Sequence, residues 1–374
     1  MEFKINRNVL LDNLNKANRI IDFKAVNPTL TGILLDVSPN QVTITSTNNS
    51  LSFKAYLNSD NAQLEVATTG KILLKGKYIL EMLRRLDQEI VTLVNIENSE
   101  LTIKNSNTEF NCGLLESEEY PLLGFKERGV EINLKPTSFR RALSQTIVSI
   151  DETNKKMILT GMNFRIQNQA LMVSTTDMHR ISQKKISLDI DSSTQCNVTV
   201  PYKTVVELMR LLDGVKVLKM VVSEGYLTFL MDNMVFQSTL IDGQYPLVEG
   251  VFPKDFNLTL KVNQKVFLKA LSRADLSAET GLAPIINLNI QQTKMVMKAD
   301  LVEIGNFEED FFDFESDATM PMTINFNLKY LIEAIRSFND NLELKFVGST
   351  NPLLITQVDD ENLKQVILPT YISN

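Results

Sequence analysis

Three charged triplets in this chain have the residue types and the spacing to form one kind of surface three times over. Lys77, Glu81 and Arg84 stand in KGKYILEMLRRL, Lys203, Glu207 and Arg210 in PYKTVVELMRLL, and Lys329, Glu333 and Arg336 in NLKYLIEAIRSF. Successive triplets are 126 positions apart both times. The i, i+4, i+7 spacing sets each triplet on one helix face. Apolar residues hold the opposite face: Ile79, Met82, Leu83 and Leu86; Val205, Leu208 and Leu212; Leu331, Ile332 and Ile335. A single active site does not need such a repeat, whereas a pseudo-symmetric surface does.

Catalytic constellations are missing by comparison. The one histidine, His179, lies in TTDMHR (175–180), two residues after Asp177. An Asp–His pair can move protons, but between two strands it is expected to satisfy backbone groups of a turn. No nucleophile nearby completes a triad. The sequence has no GxGxxG or GxxxxGK[ST] phosphate loop, no HExxH, CxxC, EF-hand or GxSxG pattern. Cys112 and Cys196 fall in different repeats and in strand-like surroundings, so they are expected to be small buried residues and not a disulfide or a metal site. No catalytic residue, metal or cofactor is therefore expected. The rival to that view is a triplicated α+β enzyme with a site at a domain junction, which would need a convergent catalytic set in one repeat.

The elements that carry the triplets recur in one order. A short strand leads into a helix: FKI before 7–21, EINL before 136–149, LTLKV before 263–276. Strands of near period-two alternation follow, then the triplet helix, then more strands. The pattern is α+β, with two helices and roughly eight strands per repeat, the helices packed on one face of antiparallel sheet. The chain of 374 residues then divides into 1–125, 126–250 and 251–374, with turn-rich crossings at EEYPLLGFKERG (119–129) and GQYPLVEGVFP (243–253). The run EEDFFDFESD (308–317) reads as a strand and its hairpin approach, with acids that protect an edge. The end VILPTYISN (366–374) is either an apolar docking end or a last core strand with a frayed tip.

Charge is segregated among these elements. Net charge is −7, yet the helical segments 7–21, 75–86, 135–150, 201–213, 263–276 and 327–339 sum to +11, leaving −18 for the rest. If the helices share one surface, it is electropositive on an acidic protein, and nucleic acid becomes a fitting partner. No stretch approaches the about 20 apolar residues of a membrane span. The start, MEFKINRN, lacks an apolar signal core, so a cytoplasmic protein is expected.

Several stretches together resemble one family, the bacterial replicative sliding clamp, the β subunit of DNA polymerase III. They are NPTLTGILL (27–35), LTGMNF (159–164), TTDMHR (175–180), VPYKTVVELMRLL (200–212), STLIDGQYP (238–246) and VILPTY (366–371), in the family's order and spacing. The resemblance covers essentially the whole chain. It implies the DNA clamp fold, with three similar domains and a head-to-tail homodimer closed into a ring. Helices would line the inside of that ring and antiparallel sheets its outside. It implies non-specific, topological binding of double-stranded DNA, with Lys24, Arg84, Arg140, Arg141, Lys203, Arg210, Lys269, Arg273 and Arg336 as phosphate contacts. It places Phe110 and Cys112 on one dimer edge and Leu276 on the other. A peptide pocket would be built from Thr176, His179, Arg180, Ile181, Pro246, Val251, Val366, Ile367, Leu368 and Pro369. Its partners would be the replicative polymerase, the clamp loader, repair polymerases and other proteins with a clamp-binding motif. Met178 stands where family members usually have glycine, and Gly250 and Tyr371 where the best-known members have basic residues. Pocket shape and partner preference are expected to differ accordingly.

Overall fold

Asparagine and proline set where the helices begin. In this computed structural model, which describes residues 1–96, 99–275, 283–301 and 305–371, Asn6 caps α1 (Arg7–Asn18) by accepting the N–H groups of Asn8 and Val9. Asn263 does the same for α6 (Gln264–Ala274), and Asn327 caps α7 (Leu328–Arg336). These caps satisfy donors that the first helical turn leaves unpaired. Pro136 opens α4 (Pro136–Thr146), where its missing N–H costs nothing. The other helices are the short α2 (Ser59–Ala62), α3 (Gly76–Arg84) and α5 (Tyr202–Leu211). Each long helix ends before the charge pattern of the sequence does. α4 stops at Thr146, whose hydroxyl donates to the Ala142 carbonyl, and a 3-10 turn at Ile147–Ser149 follows.

Between the helices the chain builds β-sheet in a thrice-repeated plan. One half-sheet per repeat gathers the first strand and the last three. In the first repeat this is β1 (Glu2–Asn6), β7 (Ile90–Val94), β8 (Glu100–Lys104) and β9 (Glu109–Gly113), with β5 (Glu65–Thr68) beside β1. The second repeat uses β10 (Val130–Leu134), β15 (Leu218–Ser223), β16 (Tyr226–Met231) and β17 (Met234–Thr239). The third uses β18 (Leu258–Asn263), β24 (Asn341–Phe346), β25 (Leu353–Gln357) and β26 (Asp360–Ile367), with β22 (Phe314–Ser316) beside β18. The other half-sheet has a matching order. It runs β6 (Gly70–Lys75), β2 (Gly32–Ser38), β3 (Gln41–Thr47), β4 (Leu51–Leu57) in the first repeat. In the second it runs β14 (Cys196–Pro201), β11 (Gly161–Gln167), β12 (Ala170–Thr176), β13 (Arg180–Ser187). In the third it runs β23 (Met322–Asn327), β19 (Ile285–Ile290), β20 (Met295–Leu301), β21 (Gly305–Phe311).

Two seams join half-sheets of successive repeats. β4 pairs antiparallel with β17, making one eight-stranded sheet, and β13 pairs antiparallel with β26, making one nine-stranded sheet. β9 and β21 occupy the corresponding places and end their sheets. The chain accordingly forms two compact units, Met1–Pro136 with Val206–Leu240, and Thr137–Val205 with Ile241–Asn374. The acidic run is strand, as its alternation suggested, but it makes no hairpin: it crosses from β21, at the end of one sheet, to β22, which pairs with β18 in another. Glu308 and Asp310 on β21 pair with Lys298 of β20 and with Lys294 just before it. Both cysteines are free thiols and half-buried, less enclosed than the sequence suggested. Burial pushes the Cys196 thiol up to about 11 against the opposing pull of a hydrogen bond with the Ile166 backbone.

Within the second unit, a large apolar cluster holds Phe267 of α6, Phe326 of β23 and Phe346 of β24, all fully buried. The β13–β26 seam is locked by polar groups instead. The buried Gln365 side chain accepts from the Ser182 hydroxyl and donates 2.9 Å hydrogen bonds to the Gln145 carbonyl and the Ser337 hydroxyl. Ser149 and Ser182 hydroxyls lie 2.6 Å apart. Each group is satisfied, so burial here is tolerated. Replacing Gln365 with leucine keeps the volume but strands these partners. The expected loss is about 2–3 kcal/mol of stability, read as a lowered urea midpoint with an unchanged slope. A midpoint equal to that of the parent protein would contradict this account.

Candidate nucleic-acid surface and peptide site

Several of the expected DNA-contacting arginines have an acidic side chain beside them. Glu81 pairs with Arg84 and Glu207 with Arg210, each one helical turn apart. Arg84 also donates to the Asn15 side chain of α1 at 3.0 Å. Arg273 makes a two-pronged contact with Glu309 of β21, its Nε at 2.6 Å, and this pairing raises its already high pKa. All of these ion pairs are exposed, so each is worth little in water. Four of the arginines, Arg84, Arg210, Arg273 and Arg336, sit in the last turn of their helices, where a cation also favours the helix dipole. Lys24, Arg140, Arg141, Lys203, Lys269 and Arg336 are exposed. Lys24 follows Asp22, whose carboxylate accepts its backbone N–H at 2.9 Å.

The third triplet departs from the other two. Glu333 does not turn to Arg336 but binds Arg180 of β13. Arg180 is buried, donates from Nε to Asp177 at 2.9 Å, and lies over the Tyr330 ring with 4.1 Å to the centroid. On the same side of the sheet, Lys329, Arg336, Asp151 and Ser144 line a concavity of about 600 Å³.

The other side of the β13–β26 seam is apolar. Strand residues alternate between faces, so Ile181 and its partner Val366 point away from Arg180 and its partner Ile367. Ile181 and Val366 join Leu159, Tyr245, Val248 and Leu354 in one buried cluster, with Phe252 and Phe256 packed on its margin. His179, Pro246, Leu247, Val251 and Leu368 are exposed. The strands are tied where they leave the sheet, since the Leu368 N–H donates to the His179 carbonyl at 2.9 Å.

Local chemistry explains the turn between β12 and β13. Asp177 accepts the N–H groups of His179 and Arg180 at 2.9 and 3.0 Å, the backbone role its type and place suggested. The Thr176 hydroxyl donates to the Arg180 carbonyl, and its N–H donates to the Tyr245 hydroxyl at 2.9 Å. Burial raises the Tyr245 phenol well above its ordinary value, which keeps it a neutral hydroxyl.

Of the expected peptide-pocket residues, then, Ile181 and Val366 belong to this apolar cluster, His179 and Leu368 meet where the strands leave the sheet, and Pro246, Val251 and Pro369 are wholly or partly exposed. The side chains of Arg180 and Ile367 do not, because strand alternation turns them to the opposite face, Ile367 into the main apolar core. Thr176 is buried and builds the turn. Leu159 and Tyr245 were overlooked although they stand inside LTGMNF and IDGQYP, and apolar content within those motifs was the available signal. Among the expected dimer residues, Phe110 and Cys112 share one half-buried face of β9, which ends its sheet. Leu276 lies outside the described residues.

No group of metal-ligating side chains occurs among the described residues, and no helix among them is long and apolar enough to cross a membrane. Three α+β repeats, joined by sheets that run on from one repeat into the next, define the DNA clamp fold. Family models of the DNA polymerase III beta subunit match almost end to end: the N-terminal domain at 1–124, the central domain at 133–247 and the C-terminal domain at 249–371. The chain belongs to that family. It is 48% identical to the beta sliding clamp of Mycoplasma capricolum over 100% of both chains. It is 28% identical to that of Bacillus subtilis over 99% of both. The crystal structure of the DNA polymerase sliding clamp from Bacillus subtilis matches with a TM-score of 0.93 at 26% identity, covering 100% of each chain.

Removing the buried cation tests the local account. Arg180→Met leaves the Asp177 and Glu333 carboxylates without their common partner. Stability should fall by about 3–5 kcal/mol, measured by chemical denaturation. Glu333→Gln keeps a hydrogen-bonding group and should cost less than half as much.

Proposed function

We propose that two copies of this chain close head to tail into a ring that encircles duplex DNA and tethers a replicative polymerase to it. The observation that carries this reading is the pair of edges left over by the repeat. β4 finds β17 and β13 finds β26 within the chain, while their counterparts β21 and β9 end their sheets. An edge strand presents unpaired N–H and C=O groups. β9 of one copy set against β21 of another repeats the seam already made twice. Each copy has one of each edge, so two equivalent seams form and a two-fold axis closes the ring. Phe110 and Cys112 meet the partner there, together with Leu276.

Basic helices then face the hole. Lys24, Arg84, Arg140, Arg141, Lys203, Arg210, Lys269, Arg273 and Arg336 touch phosphates and read no bases, so the ring slides. The apolar surface about Ile181, Val366 and Leu368 receives linear motifs of the polymerase, the clamp loader and repair polymerases, one partner at a time. Large apolar side chains entering it supply most of the affinity. The chain catalyses nothing itself and acts as a processivity factor in the bacterial cytoplasm.

Topology is the decisive readout. Loaded onto nicked circular plasmid, the protein should co-elute with the DNA and be lost when one restriction cut linearises it. Loss of protein at the same rate before and after cutting would refute encirclement. Affinity for short linear duplex should be weak and should fall with salt. Phe110→Asp should give monomers in sedimentation at micromolar concentration, because it places a charge in an apolar contact. Glutamate at Lys203, Lys269 and Arg336 together should reduce loading and processive synthesis while leaving the dimer and the melting temperature intact.

A further inference from the structure

The turn between β12 and β13 holds a side chain that its backbone does not favour. Met178 has a φ of 76°, in the left-handed region that glycine enters without steric cost. Seven other non-glycine residues have positive φ among the described residues: Asn49, Gln63, Asn168, Gln169, Asp232, Asp340 and Asp359. All carry an amide or a carboxylate, groups that can hydrogen-bond to nearby backbone. Methionine cannot do so.

The surroundings enforce the conformation. The Met178 N–H donates to the Thr176 hydroxyl at 3.1 Å. Asp177 grips the next two N–H groups, Arg180 holds Asp177, and Glu333 and the Tyr330 ring hold Arg180. The side chain itself is 54% exposed, so core packing does not account for it. Its neighbour His179 is tied through its carbonyl to Leu368, at the apolar surface. A backbone strained yet over-determined, beside a binding surface, is a pattern of functional sites. An unbranched, polarisable thioether suits a wall that must fit several partners.

We propose that Met178 is a specificity-determining residue of the peptide site, its thioether packing on one apolar side chain of the bound motif. This rests on reading the apolar surface as that site. The chain carries a strained methionine where glycine would relax the turn, and the compensation is contact with the partner.

The test uses the full-length dimer and a labelled peptide containing a glutamine followed by leucine and phenylalanine. Met178→Gly should raise the melting temperature, because relief of the left-handed strain exceeds the freedom glycine adds to the unfolded chain. It should also weaken the peptide about fivefold to tenfold, the worth of one apolar side chain's contact. Met178→Leu should bind within about twofold of the parent, as apolar bulk returns. In a double-mutant cycle, the loss should vanish for the one peptide in which the facing residue is alanine, and persist for the others. Unchanged affinity in Met178→Gly, or an equal loss across all peptides with a lowered melting temperature, would overturn the proposal. If the parent protein fails to bind the peptide, or binds it as well after Leu368→Asp, the reading of the surface as a peptide site fails along with it.

Discussion

Unpaired strand edges govern this molecule. Every repeat makes two half-sheets, and each half-sheet ends in backbone donors and acceptors that need partners. The chain answers twice with its own next repeat, β4 with β17 and β13 with β26. Because side chains alternate along a strand, the same pairing decides which residues face which way. At the second seam one register sends Ser182 and Gln365 to one side and Ile181 and Val366 to the other. A single run of hydrogen bonds thus sets a polar lock and an apolar surface back to back.

The two sides of that seam specify the structure differently. Apolar packing is strong but tolerant of small shifts. The Gln365 node is not, because its hydrogen bonds reach Ser182, Gln145 and Ser337 at fixed directions. A slip of one residue would turn Gln365 to the wrong face and leave those groups unpaired. The Asp177–Arg180–Glu333 chain acts in the same manner on the adjoining turn. Its charges cost energy to bury and hold only as a complete set.

Much of the architecture was legible because its signals are local. Amphipathic spacing marked the triplet helices, and alternation marked the strands, including the acidic β21. Asn6 and Asn263 stand at equivalent places and cap the first helix of their repeats, and Asn327 caps a triplet helix. What was not legible depends on contacts distant in sequence. No spacing rule tells that Arg273 meets Glu309, or that Glu333 turns to Arg180 while Glu81 and Glu207 turn to their own helix. Arg180 and Ile367 belonged to the right motifs but to the other face, since motif membership carries no side-chain direction. Helix ends were overdrawn because charge and apolar periodicity continue past the last hydrogen-bonded turn.

The diverted glutamate has a mechanical corollary. Arg84 and Arg210 have their charge matched on their own helix, whereas Lys329 and Arg336 stand beside an acid already engaged with a buried cation. In the proposed ring the three triplet helices would therefore present different faces inward, although each carries the same three charges. A cylinder of negative charge inside such a collar would meet pre-matched arginines on four of its triplet helices and cations beside a diverted acid on the other two.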